Sequence, residues 1–209
     1  MPNSAGASVL SACRFPEPVQ RAIAPVLTIR FPVAPPGARG CQHAGVPRDG
    51  IDLHLLRHAD AGDALRWPGP DSTRPLSPDG TEHAERLAAH LRTVGFECDA
   101  VLTSPKVRAR QTAQPLADAF GLSVILDDRL AGDLSVDRLD HLITDHGNPR
   151  SPVLVGHDPD FSELLTALIG AVNLSMKKGA FARLQVRRPL TAGTATLRWL
   201  LPPDALRHR

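Results

Sequence analysis

The chain has 209 residues and a formal net charge of +2, enough for one domain with a sizeable core plus an extension. The near-neutral charge gives no global field to hold nucleic acid or an anionic membrane, and no apolar run reaches the roughly 20 residues of a membrane-spanning helix. The cysteines Cys13, Cys41 and Cys98 are odd in number and form no C-x-x-C pair, which argues against a disulfide framework or a structural zinc site and for a reducing cytoplasm.

Residues 1–50 carry many prolines and glycines, among them Pro16, Pro18, Pro25, Pro35, Pro36, Gly37 and Gly40, without sustained periodicity. They read as a disordered leader, with Val26 to Phe31 as a candidate short strand. From Ile51 strands and helices alternate, the pattern of an α/β fold with a mostly parallel sheet. Ile51 to Leu56 is an apolar run that stops at Arg57-His58, as a buried parallel strand does where it delivers polar side chains to the carboxyl edge of a sheet.

Asp60 to Pro75 is a loop, and Ser77-Pro78-Asp79 opens a helix with a capping serine, proline at the first position and an acid in the first turn. Its inward face is Ala84, Leu87, Ala88, Leu91 and Val94, and Gly95 ends it. Ala100 to Leu102 is a short strand leading to a second serine-cap and proline-start signature, Ser104-Pro105, and a helix to about Phe120 that Pro115 should bend or split. Val124 to Leu126 is a strand, Asp127 to Ser135 a loop, and Val136 to His146 a helix. Pro152 to His157 is another buried strand ending in histidine, followed by an apolar helix from Asp160. Phe181 to Val186 and Thr194 to Leu201 form an antiparallel hairpin at a sheet edge, and 204–209 is a frayed tail. The domain proper is thus 51–203.

Three strand ends converge on one sheet edge: Arg57-His58, Ser104 to Arg108, and Gly156-His157. A phosphoryl group needs positive charge on its equatorial oxygens; arginine supplies a planar fork for them, and histidine can donate or attack. Arg108, one turn into its helix, lies near the helix's positive end.

These stretches, Leu56-Arg57-His58-Ala59, Arg74-Pro75-Leu76-Ser77-Pro78-Asp79-Gly80, Ser104-Pro105-x-x-Arg108-Ala109-x-Gln111-Thr112-Ala113 and Val155-Gly156-His157, resemble in order and spacing the histidine phosphatase superfamily, and within it the small SixA-like phosphohistidine phosphatases. The resemblance runs from about Ile51 to Leu201. It implies a three-layer α/β/α, phosphoglycerate mutase-like fold and a cytoplasmic, cofactor-independent, metal-free phosphatase. His58 would take the phosphoryl group, Arg57 and Arg108 bind its oxygens, and His157 stabilise it in transfer. Arg74 is a further candidate for gripping substrate. The implied substrate is a phosphorylated protein of the histidine phosphotransfer type or a small phosphorylated metabolite. A small-molecule phosphomonoesterase or mutase and a non-catalytic phosphate-binding module stand as alternatives.

Two departures bear on that reading. The family usually has glycine after the nucleophile; Ala59 would be strained there if the position requires a left-handed backbone. Mutase-like relatives also carry a glutamate before the second histidine, where this chain has Leu126-Asp127-Asp128-Arg129-Leu130, so Asp60, Asp63 and Asp128 are the candidate general acids. A weak or missing acid favours a P–N bond, because an imidazole leaves far more readily than an alkoxide. The connection of about thirty residues between the Arg108 helix and the His157 strand leaves no room for an added lid. The remaining histidines read as structural or exposed: His54 as a satisfied sheet residue, and His83, His90, His141 and His146 as solvent-facing. Arg66 and Lys177-Lys178 read as solvated surface, and Cys98 as a packing residue.

Overall fold

The computed structural model describes residues 50–206; the expected leader, its candidate strand and the last three residues of the tail lie outside them. The strands are β1 (Gly50–Arg57), β2 (Ala100–Thr103), β3 (Val124–Leu126), β4 (Pro152–Gly156), β5 (Phe181–Arg187) and β6 (Thr196–Leu201). The helices are α1 (Pro78–Thr93), α2 (Val107–Phe120), α3 (Val136–Asp145) and α4 (Asp160–Ile169). The strands form one sheet in the order β3-β2-β4-β1-β5-β6, parallel from β3 to β1 and antiparallel across the β5–β6 edge.

β4 is apolar along its length, and β1 at Ile51, Leu53, Leu55 and Leu56, because both faces of the sheet are covered. Leu53, Leu55, Leu102 and Leu154 point to the face packed by Leu139, Leu142 and Ile143 of α3 and by Phe161, Leu164, Leu165 and Leu168 of α4. Leu56, Val101, Val153 and Val155 point to the opposite face, under Leu87, Ala88 and Leu91 of α1 and Ala109, Ala113, Leu116 and Ala117 of α2. This is the expected three-layer α/β/α arrangement. β1 and β4 are neighbours, yet the chain leaves β1 toward the α1 layer and β4 toward the α4 layer. The two connections part and leave a crevice at the carboxyl ends of these strands, the place where open α/β sheets bind ligands.

The helix ends follow the sequence where side chains cap them. Ser77 accepts the Gly80 amide at 3.1 Å with Pro78 at the first helical position, and Ser135 accepts from Arg138. Four expectations need correction. Val94 is 59% exposed: the chain reverses at Gly95, which has φ +69°, and Phe96 returns to donate to the Leu91 carbonyl and packs on the core in Val94's stead. Ser104 does not cap α2, which begins at Val107 after Lys106 with no side-chain cap. Of the bend or split expected at Pro115, the split does not occur: α2 runs unbroken, with Ala113, Leu116 and Ala117 around it packed on the sheet. Pro203–Leu206 is a 3-10 turn lying along α1 rather than frayed chain, with Leu206 against the core.

One glycine decides how α1 meets the end of β1. A Cβ on Gly80 would stand 2.0 Å from the Asp60 carbonyl oxygen, which itself accepts the Ser77 amide. Backbone cannot yield as a flexible side chain can, so Gly80→Ala is expected to cost about 2–4 kcal/mol. A lowered urea midpoint with unchanged slope would show it.

Candidate active site

The carboxyl ends of β1, β2 and β4 are locked together by main chain before any side chain acts. The His58 amide donates to the Gly156 carbonyl at 3.0 Å, and the Ser104 amide donates to that of Val155 at 3.0 Å. The Gly179 amide is shared between the carbonyls of Arg57 and His58.

His58 is 6% exposed, and its partners define its tautomer. The Ala59 carbonyl, 2.7 Å from Nδ1, can only accept, so Nδ1 carries the proton. Arg108 Nε–H, 3.3 Å from Nε2, can only donate, so Nε2 presents a lone pair. Burial lowers the imidazole pKa to about 4, against the opposing pull of the Ala59 hydrogen bond and with the charges of Arg108, Arg57 and Lys178 adding to the fall. The ring is therefore neutral and nucleophilic at Nε2 near pH 7.

Arg108 sits in the first turn of α2 and is itself buried. Thr112, one turn on, ties this helix to the nucleophile's strand: its hydroxyl donates to the Arg108 carbonyl at 2.7 Å and accepts the Ala59 amide at 3.1 Å. Beyond Nε, the guanidinium donates from NH1 to the Asp71 carbonyl at 2.7 Å and from NH2 to the Asp71 carboxylate at 2.9 Å. Arg57 reaches the Met176 carbonyl and pairs with Asp158 at 3.2 Å, while its Nε has no protein partner.

The His157 ring stands 5.0 Å from that of His58, centroid to centroid. Ser104 Oγ lies 2.9 Å from His157 Nε2 and accepts the Lys106 amide. The hydroxyl has one proton and two lone pairs and so pairs with either tautomer of His157, whose Nδ1 is buried and has no protein hydrogen-bond partner. Burial, then His58, Lys106 and Arg108, lower this imidazole's pKa to about 3, with Asp71 opposing. The sequence missed Ser104 in this role, because Ser-Pro ahead of a helix has the pattern of a cap.

The structure thus gathers Arg57, His58, Arg108 and His157 at one point. Other expectations shift. Arg74 is buried and its guanidinium is committed to the Ala61 and Gly62 carbonyls and to Asp71, so it holds the loop rather than facing a substrate. Asp60 accepts from Gly62, Ser77 and Lys178. The Lys178 bond, with help from the other two, outweighs its burial and holds it well below the usual carboxylate range, making it a poor proton donor. Asp63 caps a short exposed turn through Leu65 N, and Asp128 is exposed on another. Ala59 has no positive φ among the described residues and is fully buried, so alanine fits there unstrained.

Lys178 is ion-paired and lines, with Arg57, Asp60, Asp79 and Lys177, a polar cleft of about 850 Å³ beside the phosphoryl site. His83 is buried, with Nε2 donating to the Gly179 carbonyl, and His146 donates to Asp127; neither simply faces solvent. His54 donates to the Pro152 carbonyl but keeps a buried, unpartnered Nε2. Burial pushes the Cys98 thiol up to about 12, as befits a residue that packs. Asp71, read only as part of an irregular loop, is the acid the sequence missed; its one signal was its place three residues before Arg74. Among the described residues no group of His, Cys, Asp or Glu could hold a metal ion, and no helix is long and apolar enough to cross a membrane.

A buried histidine with its proton on Nδ1 and a guanidinium on Nε2, at the crevice of an α/β/α sheet, fits an enzyme of the phosphatase class. The chain belongs to the histidine phosphatase superfamily (branch 1), whose family model matches residues 53–146. An uncharacterized protein of Picosynechococcus sp. is 32% identical over 166 residues, which are 73% of this chain and 100% of that protein. A probable phosphoglycerate mutase GpmB of Enterobacter sp. is 35% identical over 81 residues, 38% of this chain and 37% of that one. The structure of the protein histidine phosphatase SixA complexed with tungstate superposes with a TM-score of 0.65 at 26% identity, covering 75% of this chain and 100% of SixA. Several other curated relatives are matched over only about a third to a half of their own length.

Proposed function

We propose that the protein hydrolyses a phosphohistidine carried on another protein, by double displacement through phospho-His58. Arg108 Nε–H passes from His58 Nε2 to a phosphoryl oxygen, the freed Nε2 lone pair attacks phosphorus, and the P–N bonding pair leaves with the substrate imidazole, whose far nitrogen carries a proton so that a neutral imidazole departs. His58 retains its Nδ1 proton on the Ala59 carbonyl, so the intermediate is a phosphoimidazolium. That positive charge makes its P–N bond labile when water attacks phosphorus. The water proton passes to the departing phosphate, and Nε2 regains its lone pair. Arg57 and Arg108 neutralise the equatorial oxygens, and His157, in the tautomer with its proton on Nδ1, supplies a further donor.

The observation that carries the choice of substrate concerns the carboxylates close to the site. Asp60 is tied to Lys178, Asp71 to Arg74 and Arg108, and Asp158 to Arg57. Burial alone would raise the Asp71 carboxyl, but the hydrogen bonds from Arg74 and Arg108 outweigh it and hold it below its usual range. Such acids do not readily protonate an alkoxide, whereas an imidazole leaves with little help. Incubation with a phosphorylated histidine phosphotransfer protein is expected to release inorganic phosphate. Turnover confined to sugar phosphates or nucleotides would instead establish the small-molecule phosphomonoesterase or mutase reading, which the similarity to GpmB keeps in view.

The pH behaviour follows from the neutral imidazoles. His58 attacks only when unprotonated, so its phosphorylation rate should be flat near neutrality and fall as pH drops through about 4. Stability should fall earlier. His54 and His58, lowered to about 4, and His157, lowered to about 3, refuse protons that the unfolded chain takes up near its ordinary 6.5. Each then removes up to about 1.4 kcal/mol per pH unit below that value. Urea midpoints at pH 7 and pH 5 would measure this; equal midpoints would contradict it.

A further inference from the structure

We infer that Asp71 is a positioning residue for the phosphoryl-transfer reaction, holding the Arg108 guanidinium beside His58 Nε2 so that its N–H groups meet the transferring oxygens, while being held in place by Arg74. The inference rests on the phosphoryl-transfer reading above and adds to it a residue of the loop between β1 and α1.

Arg108 touches His58 through Nε, but a guanidinium on a long side chain can rotate about its last bonds unless its other nitrogens are engaged. Asp71 engages both. Its main-chain carbonyl takes NH1 at 2.7 Å and its carboxylate Oδ2 takes NH2 at 2.9 Å. One residue thus grips both terminal nitrogens and leaves each with a second N–H for a phosphoryl oxygen. The other carboxylate oxygen, Oδ1, receives Arg74 Nε at 3.0 Å and NH2 at 2.9 Å.

Arg74 is anchored in turn. Its NH1 donates to the Ala61 carbonyl at 2.6 Å and the Gly62 carbonyl at 3.2 Å, immediately after the nucleophile's strand. The circuit runs from His58 through Arg108, Asp71 and Arg74 back to Ala61, three residues beyond His58. It closes the loop as a ring around the nucleophile, so the position of Arg108 is set by a segment that also begins at that nucleophile. The Asp71 side chain is 53% exposed while that of Arg108 is 6% exposed. The carboxylate therefore sits at the mouth of the site and is not a core contact.

The test is a double-mutant cycle on the full chain, reading single-turnover phosphorylation of His58 from N-phosphoimidazole alongside the thermal midpoint. Asp71→Asn keeps the carbonyl and the size but removes the charged acceptor. It is expected to slow phosphorylation about 10- to 100-fold with less than about threefold change in the half-saturating donor concentration, because misaiming costs the transition state more than the encounter. In an Arg108→Lys background, where no fork remains to be aimed, Asp71→Asn should cost less than about threefold. Asp71→Glu should recover part of the rate. Equal costs in both backgrounds, or a loss matching the unfolded fraction alone, would overturn the inference. A faster reaction or tighter phosphate binding in Asp71→Asn would also overturn it, since the carboxylate would then be a competitor for Arg108. Absence of any phosphoenzyme in the wild type would instead overturn the phosphoryl-transfer reading itself.

Discussion

His58→Ala is expected to form no acid-labile phosphoenzyme and to lose about 10⁴-fold or more in turnover. The reason is specific to the geometry. Nε2 is the imidazole lone pair directed at the Arg108 guanidinium, and the ring is kept neutral by burial and by the surrounding positive charges. His157, 5.0 Å away between ring centroids, is not placed to substitute, because its Nε2 is engaged by the Ser104 hydroxyl and its Nδ1 is buried. The variant should fold, since the main chain at residue 58 is fixed by the Gly156 carbonyl and the Gly179 amide and not by the imidazole. The measurement is acid-quenched trapping of radiolabelled phosphate on wild type and variant. A labelled variant would show that another side chain takes the phosphoryl group. An unlabelled wild type with every phosphodonor would favour a phosphate-binding module without turnover.

Arg108→Ala should lower the rate of phosphorylation about 10³-fold, the scale for removing a preorganised charge from a phosphoryl or oxyanion site. The substitution deletes the donor on His58 Nε2 and leaves Asp71 with Arg74 alone. Arg108→Lys should recover little, about tenfold, because one ammonium cannot span His58 and both acceptors of Asp71. Full activity in the lysine variant would mean that net charge, and not the planar fork, is what the site uses. Both variants should keep most of their stability: the Thr112 hydroxyl bonds the Arg108 carbonyl, and neither change touches main chain.

The candidate site was legible because of how parallel strands are built. A strand covered on both faces is apolar until it reaches the sheet edge, so Arg57-His58 and Gly156-His157 stand out as polar tips. Ser104 was visible but misassigned. It continues the pairing of β2 through its amide to Val155, so it is still extended chain and its hydroxyl turns to His157 instead of a helix that starts later. Asp71 and the real duty of Arg74 were barely legible, since both lie in a loop with no period to say which side chains point inward.

By itself the sequence determined the alternation of strands and helices, the helix cap at Ser77, and the four candidate residues at or just beyond the strand ends, because each depends on neighbours close in the chain. The tertiary structure decided which acids are held ionised, which histidine nitrogen carries a proton, and what aims Arg108. Those depend on contacts such as Arg108 with Asp71, 37 residues apart, and His157 with Ser104, 53 residues apart. Charge, tautomer and hydrogen-bond direction are properties of the assembled neighbourhood, and they exist only once burial has removed the water that would otherwise satisfy each group separately.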